Sequence, residues 1–295
     1  MSKKVQFAVI GLVVLLVLGG VWYTTRRVKE TPIAPNGPET TSKGTVTPPP
    51  VVVPHGETSG GENGTVKKPT TGEWVWQPRS GESLEYAANV SKLNSTIANL
   101  KVVVGEQQTL SGKSVLHLQA SAHTENPYRM VFELDDQFDS YSEPGPLTSM
   151  QYEMHLSERG QKVDSVQRLL PSMKEVAPLG MIGARVVPGT RDPLGMLQYL
   201  RSVDWSKTPE VRSPVFDGRK LYDVRAILLS KSEAVTVPAG KYNAAKIELH
   251  VLDNGAEMKD THFLLYLSND AARTPVLMEA VLPIATARVE LAKIK

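Results

Sequence analysis

Residues 244–268 read AAKIELHVLDNGAEMKDTHFLLYLS. Lys246, Glu248 and His250 fall on one face of an extended chain, because side chains alternate with a period of two in a strand. Asn254-Gly255 is the pair that a two-residue type I′ turn favours, since both central positions need positive φ. It joins the strand Ala244–Leu252 to a strand through Phe263 and Leu267, an antiparallel unit. The same pattern spreads outward. Thr96, Ala98, Leu100, Val102 and Val104 alternate with polar neighbours, as do Leu116, Leu118, Ala120 and Ala122. Further runs are Tyr128–Leu134, Met150–Leu156, Lys220–Leu229, Val276–Leu282 and Ala285–Ile294, with turn signals at Ser111-Gly112, Asp217-Gly218 and Ala239-Gly240. One helix interrupts them: Asp192 reads as its N-cap and Pro193 as its first residue, with Met196, Leu197, Tyr199 and Leu200 at helical spacing, ending near Trp205. Strands do not alternate with helices, so a parallel sheet is not expected. The pattern predicts a mainly β body: an antiparallel, strongly curved sheet, barrel or half-barrel, wrapped round one short helix.

Before this body lie two segments of different composition. Residues 1–4 precede an uncharged run, Val5–Tyr23, whose helix would be about 28 Å long, close to the hydrocarbon thickness of a bilayer. Trp22 and Tyr23 fit an interfacial belt, and Arg26, Arg27 and Lys29 the headgroup zone. The run reads as a transmembrane signal-anchor. A cleaved signal peptide is the alternative, with Lys3 and Lys4 as its basic region, but no small-residue cleavage site follows. Residues 24–72 read as a disordered linker: positions 30–72 hold eight of the 21 prolines and nine threonines, including Pro48-Pro49-Pro50. Residues 1–72 carry eight Lys/Arg against four Asp/Glu, which leaves 25 against 27 for residues 73–295. The basic balance thus belongs to the tether, and the body is slightly acidic.

A net charge of +2 lacks the basic excess of a nucleic-acid binder. The absence of cysteine excludes disulfides, thiolate metal sites and cysteine nucleophiles. His117 and His123 share a strand face but stand about 20 Å apart at ~3.3 Å per residue, too far to chelate one ion. His155 and His250 likewise read as members of solvated strand faces, and His55 falls in the linker. Asp135-Asp136-Gln137-Phe138-Asp139 matches the DDxxD magnesium pattern, which needs a helix; after the run 128–134 it reads as an acidic turn at a strand end. No phosphate-binding glycine loop, HExxH or GxSxG occurs. Asn63-Gly64-Thr65 and Asn94-Ser95-Thr96 are glycosylation patterns of low information. The residues that invite a site are Arg185, Asp192, Arg201, Asp270 and Arg273. Arg201 closes the predicted helix and complements its C-terminal dipole. The turn Asn269–Pro275 is one that an Asp–Arg pair could pin. These five read either as structural ion pairs or as ligand-facing charges.

An ordered set of short motifs runs through the body: Gly81-Glu82-Ser83-Leu84-Glu85-Tyr86, Arg185, Asp192-Pro193-Leu194, Tyr199-Leu200-Arg201, Phe216-Asp217-Gly218 with Tyr222, Val237-Pro238-Ala239-Gly240 and Lys246. It ends with Tyr266-Leu267-Ser268-Asn269-Asp270, Arg273-Thr274-Pro275 and Leu282-Pro283-Ile284. In this the chain resembles the bacterial domain of unknown function 3108 family over about residues 78–292. The resemblance implies an exported bacterial envelope protein with a predominantly β domain and no assigned activity.

The expectation is a single-pass protein of the bacterial inner membrane, anchored by its N-terminal helix, with residues 73–295 in the periplasm. Its body is expected to bind an apolar ligand on the concave sheet face or to scaffold an envelope partner, without catalysis, cofactor, metal or nucleic acid. Two alternatives stay open: a hydrolase of envelope polymers using paired carboxylates, and an interaction module docking by a sheet edge.

Overall fold

The computed structural model describes residues 76–295 apart from 92, 159, 259–261 and 283–284. The signal-anchor, the linker with its proline run, His55, Asn63-Gly64-Thr65 and Pro283-Ile284 lie outside the described residues, as does the side chain of Asn94. Among the described residues no helix is long and apolar enough to cross a membrane.

Seven strands lead out from the start: β1 (Ser83–Val90), β2 (Leu93–Leu110), β3 (Lys113–Thr124), β4 (Asp135–Ser142), β5 (Ser149–Glu158), β6 (Gln161–Leu170) and β7 (Ile182–Arg185). Helix α1 (Pro193–Ser202) follows. Seven more lead back: β8 (Glu210–Phe216), β9 (Leu221–Val237), β10 (Gly240–Asp253), β11 (Ala256–Glu257), β12 (His262–Ser268), β13 (Pro275–Leu282) and β14 (Ala285–Ile294). The sheet order is β7-β6-β5-β4-β3-β2-β1-β14-β13-β12-β10-β9-β8, with β11 pairing β10. The chain therefore starts mid-sheet, steps out to the β7 edge, crosses with α1 to the β8 edge and steps back. β1 and β14 pair along their length, from Leu84 opposite Ile294 to Val90 opposite Ala287.

Two sequence expectations change here. The sheet is not a closed barrel, because its hydrogen-bonded path ends at β7 and β8. It is also mixed: β6 and β7 are parallel. A parallel neighbour needs a long return, and residues 171–181 supply one, so β7 is reached without a hairpin. The extended segment that follows touches both sides of the opening. The Ser149 N–H donates to the Thr190 carbonyl at 3.0 Å, and the Arg191 N–H to the Pro214 carbonyl of β8 at 3.0 Å.

Tyr128–Leu134 is not a strand either. Tyr128–Met130 form a 3₁₀ turn after Pro127, and the strand begins at Asp135. Residues alternate correctly in β4, but its inward positions are Asp136, Phe138, Ser140 and Ser142. One apolar residue in four hides the period.

All ten residues of α1 are buried, including Gln198 and Arg201. The concave side of the sheet is filled by this helix, whose Leu194, Met196, Leu197, Tyr199 and Leu200 join one core with side chains from Leu84 to Leu291. Asp192 starts it as read from sequence: its Oδ1 accepts the Gly195 N–H at 2.9 Å, with Pro193 in the first turn. Gly195 lies against the β4–β5 hairpin, where an added Cβ would stand 3.0 Å from the Leu147 carbonyl oxygen. Among the described residues one continuous core runs from Leu84 to Leu291, and the first and last strands pair mid-sheet.

Candidate functional site

Four of the five residues singled out by sequence serve α1. Asp192 caps its start. Arg201 is fully buried at its end and spends all five N–H donors. Nη1 and Nη2 reach the two Glu82 carboxylate oxygens at 2.6 and 2.7 Å; Gln198 Oε1 lies at 2.9 Å, the Ala272 carbonyl at 3.0 Å and the Arg273 carbonyl at 3.1 Å. Its guanidinium also stacks over Trp76, 3.9 Å from the ring centroid. Arg273 answers in reverse, donating to the carbonyls of Arg201 and Val203 at the helix end. Asp270 does not pair with a guanidinium. Its Oδ1 accepts the N–H groups of Ala272 and Arg273 at 2.9 and 3.1 Å, which holds the turn where Arg273 has a φ of 46°. Arg201, Asp270 and Arg273 form with Glu82 a clasp between the end of α1, the residue before β1 and the β12–β13 turn, with no donor of Arg201 left for a ligand. Arg185 stands apart on exposed β7, and its Nη1 donates to the Ser172 carbonyl at 2.7 Å.

The histidines lie among carboxylates on outer strand faces: His117 with Asp139 at 2.7 Å, His155 with Asp164 at 2.8 Å, His123 with Glu125 at 3.2 Å. His250 and His262 share Glu248. The DDxxD stretch is not a strand-end turn but β4 itself, and its alternation separates the carboxylates. Asp135 pairs with Arg129 and Asp139 with His117, while Asp136 points inward, 3% exposed, accepting the Ser157 N–H at 2.9 Å. Burial first, then the charges of Glu158 and Asp135, push the Asp136 carboxyl up to about 7. Because the folded state holds this proton more tightly than the unfolded chain, the stability it confers is full below the ordinary carboxyl pKa and is lost as pH rises toward 7. Asp136→Asn is expected to abolish that decline and stabilise the domain on the order of 2 kcal/mol at pH 8. Urea unfolding of both proteins at pH 5 and pH 8 measures it. A variant equally or less stable at pH 8 contradicts the assignment.

The interior beside α1 leaves little room. The cavity between Leu197, Leu200, Val251, Phe263 and Met278 is about 50 Å³, the share of one or two water molecules. A depression of about 210 Å³ borders Trp205 and Arg273, but Arg273 is committed to the helix. The concave face expected to take a ligand is thus occupied by the protein's own helix.

A groove of about 520 Å³ opens instead at the β7 edge. Buried Met150, Leu169 and Leu170 line it, with Glu143 and Thr148 of the β4–β5 hairpin on one side. An arm formed by residues 171–181, β7 and residues 186–190 bounds the other side, contributing Glu175, Val176 and Val187. Val176 and Val187 are exposed at the rim, and Met173, Leu179 and Ile182 are exposed elsewhere on the arm. Lys113 and Glu143 pair at 3.7 Å, and Glu143 also accepts the Thr148 hydroxyl at 2.8 Å. Arg168 is different. It is 9% exposed, and its buried Nη1 has no hydrogen-bond partner among the described residues. Burial lowers its pKa, with the charge of Glu175 acting the other way. No periodic pattern in the sequence marks out Arg168, since its strand shows no apolar alternation before Leu169. The only local signal is an arginine directly before Leu169-Leu170-Pro171.

The arm closes down because Gly183 of β7 lacks a side chain. A Cβ there would stand 2.7 Å from Leu170 Cδ1 and 3.2 Å from Ala177 Cβ. Leu170 can rotate away, but Ala177 cannot. Gly183→Val is expected to lift the arm and speed its cleavage at 171–181 in limited proteolysis, at little cost to the global unfolding midpoint. Unchanged cleavage contradicts this packing.

The family model described as a protein of unknown function, DUF3108, matches residues 85–292. No curated protein matches the chain. Solved structures with a similar course include a β-barrel-like protein of the domain of unknown function DUF1849 from Brucella abortus, at 11% identity and a TM-score of 0.45, covering 72% of this chain and 96% of that one. A presumptive lipoprotein from Parabacteroides distasonis shows 12% identity and a TM-score of 0.35 over 77% and 100% of the two chains. A presumptive exported protein with a YmcC-like fold from Bacteroides fragilis shows 11% and 0.33 over 76% and 99%.

Proposed function

Taking as premise that this chain belongs to the DUF3108 family of proteins of unknown function, we propose that it is a non-enzymatic binding protein of the bacterial envelope. In this reading Val5–Tyr23 anchors it in the inner membrane, and residues 24–72 hold the β body off the membrane in the periplasm. The body takes an amphiphilic molecule, not on the concave face but in the groove under the arm. One observation carries this: an opening of about 520 Å³ lined in part by the apolar residues Met150, Leu169, Leu170 and Val176, a size common for small-molecule sites.

Residues 73–295, purified without detergent, are expected to retain an amphiphile detectable by mass spectrometry of organic extracts, or to bind an apolar dye. Val176→Asp with Val187→Asp, at two exposed rim positions, is expected to weaken that binding about tenfold or more. A body that is empty and ignores such dyes, or binding indifferent to the rim pair, refutes the reading. A second reading has its own support: Met173, Leu179 and Ile182 are exposed beside the unpaired edge of β7, where a partner strand could add. Crosslinking from position 179 in cells separates the two, capturing a protein only in the second.

A further inference from the structure

We propose that Arg168 makes this groove selective for amphiphiles with an anionic end, a carboxylate or a phosphate; the inference rests on the groove being the binding site. Arg168 and Leu170 lie on the same face of β6, the one that Ala177 of the arm covers. Opposite Arg168 the parallel strand β7 presents Gly183, so no side chain at that position meets the guanidinium. The other cross-strand neighbour is Gln151 of β5, whose Nε2 donates to Glu153 at 2.6 Å and whose buried Oε1 makes no hydrogen bond to Arg168. Glu143 is engaged by Lys113 and Thr148. Glu175, exposed on the arm, acts on Arg168 through its charge but makes no hydrogen bond to its buried Nη1.

The other buried arginines are better engaged. Arg201 uses every donor, and Arg191 leaves only its Nε without a partner while donating to Ser213 and to the Pro146 and Gly189 carbonyls. The Arg168 Nη1, by contrast, is buried with no hydrogen-bond partner among the described residues. A buried charge without a partner is costly, and one carboxylate or phosphate oxygen pair matches a guanidinium fork in two parallel bonds. Such bonds gain strength where water is excluded, as at Arg168, which is 9% exposed. Leu170 and Val176, which also line the groove, accommodate the tail that a free inorganic anion lacks.

Calorimetry on residues 73–295 tests this with decanoate, decyl phosphate, decanol and inorganic phosphate. The two charged amphiphiles are expected to bind roughly tenfold more tightly than decanol, the worth of a charge-assisted pair. Arg168→Gln is expected to erase that preference while decanol binding stays within about twofold. Glu175→Gln, on the exposed arm and without structural risk, is expected to tighten decanoate binding severalfold by removing the opposing charge. Decanol binding as tightly as decanoate, or a preference that survives Arg168→Gln, overturns the inference and leaves the groove reading intact. If Arg168→Gln does not fold, an unchanged decanoate affinity in Glu175→Gln overturns it instead. Inorganic phosphate binding as tightly as decyl phosphate overturns the amphiphile specificity. No binding of any probe overturns the groove reading itself.

Discussion

Arg201→Met is expected to destabilise residues 73–295 by about 3–5 kcal/mol, the usual cost of breaking a buried ion pair from one side. The substitution keeps the aliphatic volume but removes five hydrogen bonds at once. Glu82 loses both of its guanidinium bonds and is only 15% exposed, so water cannot fully replace them. The carbonyls of Ala272 and Arg273 lose their donors as well, and Trp76 loses its cation partner. Because Arg201 ties α1 to both Glu82 at the entry to β1 and the β12–β13 turn, the loss should appear as a lower urea midpoint with an unchanged slope. Glu82→Leu combined with Arg201→Met should cost less than the two single changes added together, since each single change strands the other's charge. A loss under 1 kcal/mol for Arg201→Met would contradict the clasp.

Leu200→Ala should cost 2–5 kcal/mol, roughly the range for truncating a buried leucine. Leu200 is 1% exposed and already borders the cavity of about 50 Å³ under α1. The new void merges with an existing one, and neighbours on β10, β12 and β13 are fixed by sheet pairing, so little relaxation is available. Leu229→Ala serves as the control: at 50% exposure it should move stability by less than about 0.5 kcal/mol. Equal small effects at both positions would mean that the helix does not fill the sheet.

Local chemistry was readable where the backbone demanded it. Asn254 and Gly255 have φ of 51° and 80°, and Ser111 and Gly112 have 52° and 76°, the positive values that those turn pairs announce. Asp192-Pro193 marked the start of α1 to the residue. What escaped was set by partners distant in sequence. β4 was obscured because α1 caps its N-terminus against it, so Ser140 and Ser142 face inward where apolar residues would be expected. The parallel β7 and the pairing of β1 with β14 leave no periodic trace. Of the charged residues singled out, Asp192, Arg201, Asp270 and Arg273 gather at the two ends of α1 while Arg185 stands on β7, a geometry that their order in the chain does not reveal. Arg168 could not be singled out, since its lack of a partner depends on Gly183 and on the path of the arm.

The binding account stands or falls on where an anionic amphiphile sits. A crystal structure of residues 73–295 grown with decanoate measures this directly. The prediction is a tail along Leu170 and Val176, beneath the arm, with the carboxylate about 2.7–2.9 Å from an Arg168 Nη atom. Decanoate lodged beside α1, or a groove left without it while Arg168 points elsewhere, would contradict the account.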